Sequence, residues 1–95
     1  MYYTNEVDFR WDEAKARANH AKHGVSFEEA AEVFADPLAL VVEDVAHPER
    51  LIIIGSSMSA RVLLVVFIER DEDRIRIVSA RLATSHERRH YEEGT

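Results

Sequence analysis

The most conspicuous chemical pattern in the chain is His86-Glu87-Arg88-Arg89-His90. It matches H-E-x-x-H, in which two histidines one helical turn apart hold a zinc ion and the glutamate activates a water. Its surroundings argue against that chemistry. A catalytic zinc needs a third protein ligand, little chain follows His90, and Arg88 and Arg89 put positive charge beside a dication. His20 and His23 form a second pair at i, i+3. They suit metal or phosphate contact, or simply a polar helix end where the dipole favours a basic group. A third constellation is cationic and comes from distant segments: Lys22 with His23, then Arg61, Arg81 and Arg88-Arg89. Guanidinium groups suit bidentate phosphate contact and can stabilise a pentacoordinate phosphorane. Ser79, His86, Glu87 and Tyr91 lie near Arg81 in sequence and are of types that relay protons. Arg61 alone reads equally well as one half of a salt bridge. Trp11 reads as core rather than as a base-stacking platform.

These groups must be positioned by elements legible in the sequence. Asp12–His23 predicts a helix. Its alanines are good formers, acids stand in the first turn, and Lys22 and His23 precede Gly24, a usual stop. Asp12 and Lys15 can pair at i, i+3. Ser26 and Glu29 form a capping box with Val25 as staple, and Phe27, Ala30, Ala31 and Phe34 recur at helical spacing until Asp36-Pro37. From Leu38 the period changes to that of strands: Leu38–Glu43, Arg50–Ser56, Arg61–Glu69 and Arg74–Ala80. In the last of these Ile75 and Ile77 share one face, and Arg74, Arg76 and Val78 the other. Thr84 and Glu87 form a second capping box that opens a helix through Glu93. The expectation is an α+β fold: two N-terminal helices, a four-stranded antiparallel meander and a C-terminal helix, with a short strand near Val7–Phe9 as an addition. The helices pack on one face, and the other is partly open.

Composition narrows the function. Ninety-five residues predict one domain over 1–95. The absence of cysteine excludes disulfides, thiol catalysis and cysteine-ligated metals. No uncharged run approaches a membrane span, and MYYTNEVDFRW lacks a basic region followed by an apolar core. No membrane association is expected, and the cytoplasm is the simplest address. Twelve Lys+Arg against eighteen Asp+Glu give a net charge of −6. That disfavours broad binding to nucleic acid and fits docking to a basic partner, while leaving room for a local cationic patch.

Several segments occur together in one order: Phe9-x-Trp11-Asp12-Glu13-x-Lys15, Asn19-x-x-Lys22-His23-Gly24-Val25-Ser26-Phe27-Glu28-Glu29-Ala30, Glu49-Arg50, Ile54-Gly55, Arg61-Val62-Leu63, Ile75-Arg76-Ile77-Val78-Ser79-Ala80-Arg81-x-Ala83-Thr84, Glu87-Arg88 and Tyr91-Glu92. From Phe9 to Glu92 the chain resembles the BrnT toxin family. The resemblance implies a RelE-like fold and a ribonuclease toxin of a type II toxin–antitoxin system that cleaves RNA and halts translation. It implies a BrnA-like antitoxin with a ribbon-helix-helix DNA-binding part, so that DNA is met only through the antitoxin. No cofactor or metal is implied. Lys22, His23, Arg61, Ser79, Arg81 and Glu87 carry over as candidate catalytic residues. One departure is Ala60, where the family commonly has Gly before the central-strand arginine. The expected activity is metal-independent endoribonuclease chemistry. The alternative is a non-enzymatic module that binds an antitoxin, and a remote third is a zinc hydrolase through His86, Glu87 and His90.

Overall fold

The computed structural model describes the backbone of residues 2–4 and, in full, residues 7–94. Strands β1 (Tyr2–Thr4) and β2 (Val7–Arg10) precede helices α1 (Glu13–His23) and α2 (Phe27–Glu32), and α2 runs on into a 3₁₀ turn at Val33–Ala35. Strands β3 (Leu40–Glu43), β4 (Leu51–Ser56), β5 (Val62–Asp71) and β6 (Arg74–Leu82) follow, then helix α3 (Ser85–Glu93).

Local chemistry sets the helix ends. Asp12 is extended, and its Oδ1 accepts from the Lys15 N–H at 3.0 Å, so it caps α1 rather than forming its first turn or an ion pair with Lys15. Gly24 adopts φ +70° and closes α1 with its N–H on the His20 carbonyl. Ser26 caps α2 through the Glu29 N–H. The reciprocal half of the expected box does not form. The Glu29 carboxylate is drawn instead to Arg61 and Ser57, because a guanidinium offers two charge-assisted bonds against one from a main-chain N–H. Thr84 and Glu87 do make the complete box at α3.

The sheet corrects the expected four-stranded meander. Its order is β1-β2-β6-β5-β4-β3, six strands, with β2 parallel to β6 through Asp8–Arg74, Phe9–Ile75 and Arg10–Arg76. The four later strands do form an antiparallel meander. The extra pairing follows from the chain path. β2 is separated from β6 by both helices, a connection long enough to bring it back parallel, and it buries Phe9 completely. One core lies between α1–α2 and the sheet: Phe9, Val25, Phe27, Ala30, Ala31, Val33, Ile53, Leu63, Val65, Phe67, Ile75, Ile77 and Ala80. Phe34 binds it together, edge-to-face with Phe9 at 5.1 Å and Phe67 at 4.9 Å. Trp11 packs half-buried against Phe27 and donates to Glu13, so it belongs to the core's margin.

The helices do not all share that face. Ile54 pairs with Leu64, and both are buried outside the main core, on the opposite side of the sheet. α3 contacts β4 there, and its Tyr91 hydroxyl donates to Asp36 at 2.5 Å. Burial pushes the Asp36 carboxyl up, but donors from Ser56, Tyr91 and Leu38 outweigh it and leave it lowered, while Asp36 pushes Tyr91 up to about 12. Asp36 thus ties α3 to the end of the helical layer and leaves the middle of the second face open. Among the described residues no helix is long and apolar enough to cross a membrane.

Candidate active site

The polar side of the open face is set by a break in strand alternation. Regular alternation along β6 would put residues 75, 77, 79 and 81 on one side. Ile77 is paired with Phe67, but Ser79 is paired with Val66, so Val78 is an unmatched extra residue. This bulge reverses the parity of everything beyond it. Ile75 and Ile77 point into the core before it, and Ala80 does so after it, 1% exposed. Ser79 and Arg81 emerge on the other face, opposite Val66 and Leu64.

There they line a depression of about 420 Å³ with His23, Ile52, Leu64, Val66, Ala80 and Glu87. The floor is aliphatic and the rim polar. Arg81 forms a two-point pair with Glu87, Nη1 to Oε1 at 2.8 Å and Nη2 to Oε2 at 3.0 Å. Glu87 Oε1 also accepts the Thr84 N–H at 2.9 Å. The Arg81 hydrogen bonds hold the Glu87 carboxyl down at about 2 against the opposing effect of burial, and Glu87 in turn raises Arg81. Glu87 is therefore an anion at neutral pH, carries no proton to donate, and fixes the guanidinium in place.

The six residues singled out from sequence divide. His23, Ser79, Arg81 and Glu87 meet in this depression. Lys22 is exposed one residue before His23 and does not line it. Arg61 lies at the same end of the sheet but on the helical side. It donates through Nε and Nη2 to Glu29 and through Nη2 to the Gly24 carbonyl at 3.0 Å. Those bonds raise Arg61 and hold Glu29 below its usual range.

The histidine pairs also divide. His23 faces the depression, whereas His20 borders a smaller one beside Trp11 and Phe27. The His86 and His90 rings meet edge-to-face at 4.6 Å, while Glu87 is turned toward Arg81. Among the described residues no three His, Cys, Asp or Glu side chains gather as a metal site would need.

Two contributors escape a reading by spacing. Asn19 is buried, and its Nδ2 donates to the Val25 and Ala80 carbonyls at 3.0 and 2.8 Å, while its Oδ1 accepts the Ala80 N–H at 3.1 Å. It occupies the edge of β6 where β2 has ended and pins the end of α1 beside Ser79 and Arg81. Its one signal was a polar residue within an alanine-rich helix. Arg76 pairs with Ile68 before the bulge and so shares the open face with Arg81.

Comparison with known proteins agrees with this architecture. The family model described as "Ribonuclease toxin, BrnT, of type II toxin-antitoxin system" matches residues 11–87. A search of curated proteins finds no match. Among solved structures, the crystal structure of the Brucella abortus ribonuclease toxin BrnT is similar, with a TM-score of 0.68 and 26% identity. The match covers 83% of this chain and 99% of that one. A match over most of the chain, together with the shared fold, places this protein in the BrnT family of ribonuclease toxins of type II toxin–antitoxin systems.

Proposed function

We propose that this chain is an endoribonuclease that cuts RNA with its own side chains, and that the depression on the open face is where it does so. The supporting observation is the bulge at Val78, which brings Ser79 and Arg81 out beside His23 and Glu87. In this reading the 2′-hydroxyl attacks the adjacent phosphorus, giving a 2′,3′-cyclic phosphate and a free 5′-hydroxyl. Histidine is the side-chain type suited to proton exchange, so His23 takes the 2′-hydroxyl proton while a solvent water protonates the leaving 5′-oxygen. Arg81 stabilises the charge that grows on the phosphorane oxygens. Glu87 is a positioning residue that holds Arg81, Ser79 supplies a hydroxyl to the phosphate, and the aliphatic floor takes a neighbouring base. Lys22 and Arg61 stand outside this centre, Lys22 as an outer contact for the RNA backbone and Arg61 as a brace beneath the end of α1.

The same reading includes kinship with RelE-type folds, arrest of translation in the cytoplasm, and neutralisation by a BrnA-like ribbon-helix-helix antitoxin through which DNA is reached. The test is induction of this chain alone in bacteria, with mapping of new RNA ends. New ends and growth arrest, both lost in Arg81→Ala, with RNA cleavage by the purified chain persisting in a chelator, support it. An Arg81→Ala chain that cuts RNA and arrests growth as the wild type does would reject it.

A further inference from the structure

β3 is one edge of the sheet, and among the described residues no strand pairs with its outer side. Exposed edges in native proteins are usually blunted by lysines, bulges or a covering element, because they template pairing with another chain. Residues 40–42 of β3 carry no charge, and no register shift interrupts their pairing with β4. The four residues of β3 are Leu40, Val41, Val42 and Glu43, with Val41 57% and Val42 47% exposed. Leu38 and Val45, on either side of it, are 70% and 93% exposed. Four of the six large apolar side chains left exposed among the described residues therefore fall within residues 38–45.

Register shows what this edge adjoins. Val42 pairs with Ile52, and Ile52 with Val66, so the open-face side of β3 continues the aliphatic floor of the depression. Charge shows what would pair with it. Glu43 and Glu49 are exposed at the far end of β3 and in the loop behind it, Asp44 lies between them, and no lysine or arginine occurs from residue 38 to residue 49. An apolar edge with an acidic end selects an extended segment that alternates aliphatic and basic side chains.

We infer that β3 is the docking edge for such a segment of the antitoxin, which adds to the sheet as an outer strand. The inference rests on the reading above that an antitoxin neutralises this chain. An added strand lies beyond β3, β4 and β5 from β6, at about 5 Å per strand some 20 Å from Arg81. It therefore anchors the antitoxin without covering the candidate active site, and blocking that site falls to chain that continues across the aliphatic floor.

The test uses a full-length BrnA-like antitoxin and amide hydrogen exchange on the complex. The expected result is new protection of the amides of residues 40–43. Val41→Lys with Val42→Lys is expected to weaken binding about tenfold or more. Glu43→Lys with Glu49→Lys is expected to weaken it several-fold and to flatten its dependence on salt. Met58→Lys, at an exposed apolar side chain outside this stretch, is the matched control and should bind as wild type. Melting temperature of the free variants should be unchanged, as should RNA cleavage by Val41→Lys alone, which lies on the face away from the depression, and this separates the edge from the active site. Binding without new protection at residues 40–43, or undiminished binding by the β3 variants, overturns the inference and leaves the toxin reading standing. A wild-type chain that the antitoxin does not bind overturns both. A free chain that dimerises and becomes monomeric on Val42→Lys assigns the edge to a second copy instead.

Discussion

Arg61, just before β5, and Arg81, near the end of β6, sit at the same end of the sheet, and each forms a two-point pair with a glutamate. Their side chains are almost equally exposed, 37% and 39%. Neither residue type, partner nor exposure tells them apart; the face does. Arg61 has the parity of Leu63 and Val65 and points to the helical side, where Glu29, Gly24 and Ser57 consume its surroundings. Arg81 lies opposite Leu64, beyond the bulge, beside His23 and Ser79 in an open depression. An arginine becomes a candidate for chemistry here because of what else can reach the same space.

The two arginines themselves break the comparison most severely. Arg81→Ala should slow RNA cleavage by about 100-fold with a small change in stability, measured on a purified oligonucleotide. Arg61→Ala should do the reverse, lowering stability by about 1–2 kcal/mol in urea and leaving cleavage by the folded protein intact.

Acid should dissolve both pairs. Glu29 and Glu87 have folded pKa values below their ordinary ones, so the stability they supply is complete above the unfolded value and fades as pH falls. For Glu87 the window runs from 4.5 down to about 2. There the unfolded chain binds a proton that the folded chain refuses. Screening of these half-exposed groups limits the loss to about 1 kcal/mol for this pair, and Glu87→Gln should remove it from the pH dependence of urea unfolding. The smallest effect sits just before Arg61. Ala60 holds φ +61°, a left-handed conformation in the β4–β5 turn that glycine adopts freely. Ala60→Gly should raise stability by about 0.5–1 kcal/mol, measured by thermal melting.

Much of the fold was legible because its signals are local. Gly24 after Lys22-His23, the Ser26 and Thr84 caps and the Asp36-Pro37 stop gave helix ends within a residue or two, and the four later strands lie where the period changes. The half-formed box at α2 shows the limit of that approach, since nothing near Glu29 announces Arg61, 32 residues away. β1, and the parallel seat of β2, were equally hidden, because short strands acquire their meaning from the partner that receives them. For the site, the sequence singled out His23, Ser79, Arg81 and Glu87 by type and neighbourhood, and it singled out Lys22 and Arg61 just as strongly. Asn19 was invisible, since its role is a hydrogen bond to Ala80, 61 residues on.

By itself the sequence determined where the three helices and the four later strands lie, and that the chain is a BrnT-type toxin, because capping, periodicity and motif order act over a few residues at a time. Which arginine enters the open depression was decided only by tertiary structure. Strand alternation assigns every side chain one of two faces, and one unmatched residue at Val78 exchanges them. The apolar Ile77-Val78 doublet hints at such a break. Yet a bulge is defined by the pairing of two strands, and here its far side is held by β5, where Val66 receives Ser79, and by Asn19, which grips Ala80 from the first helix.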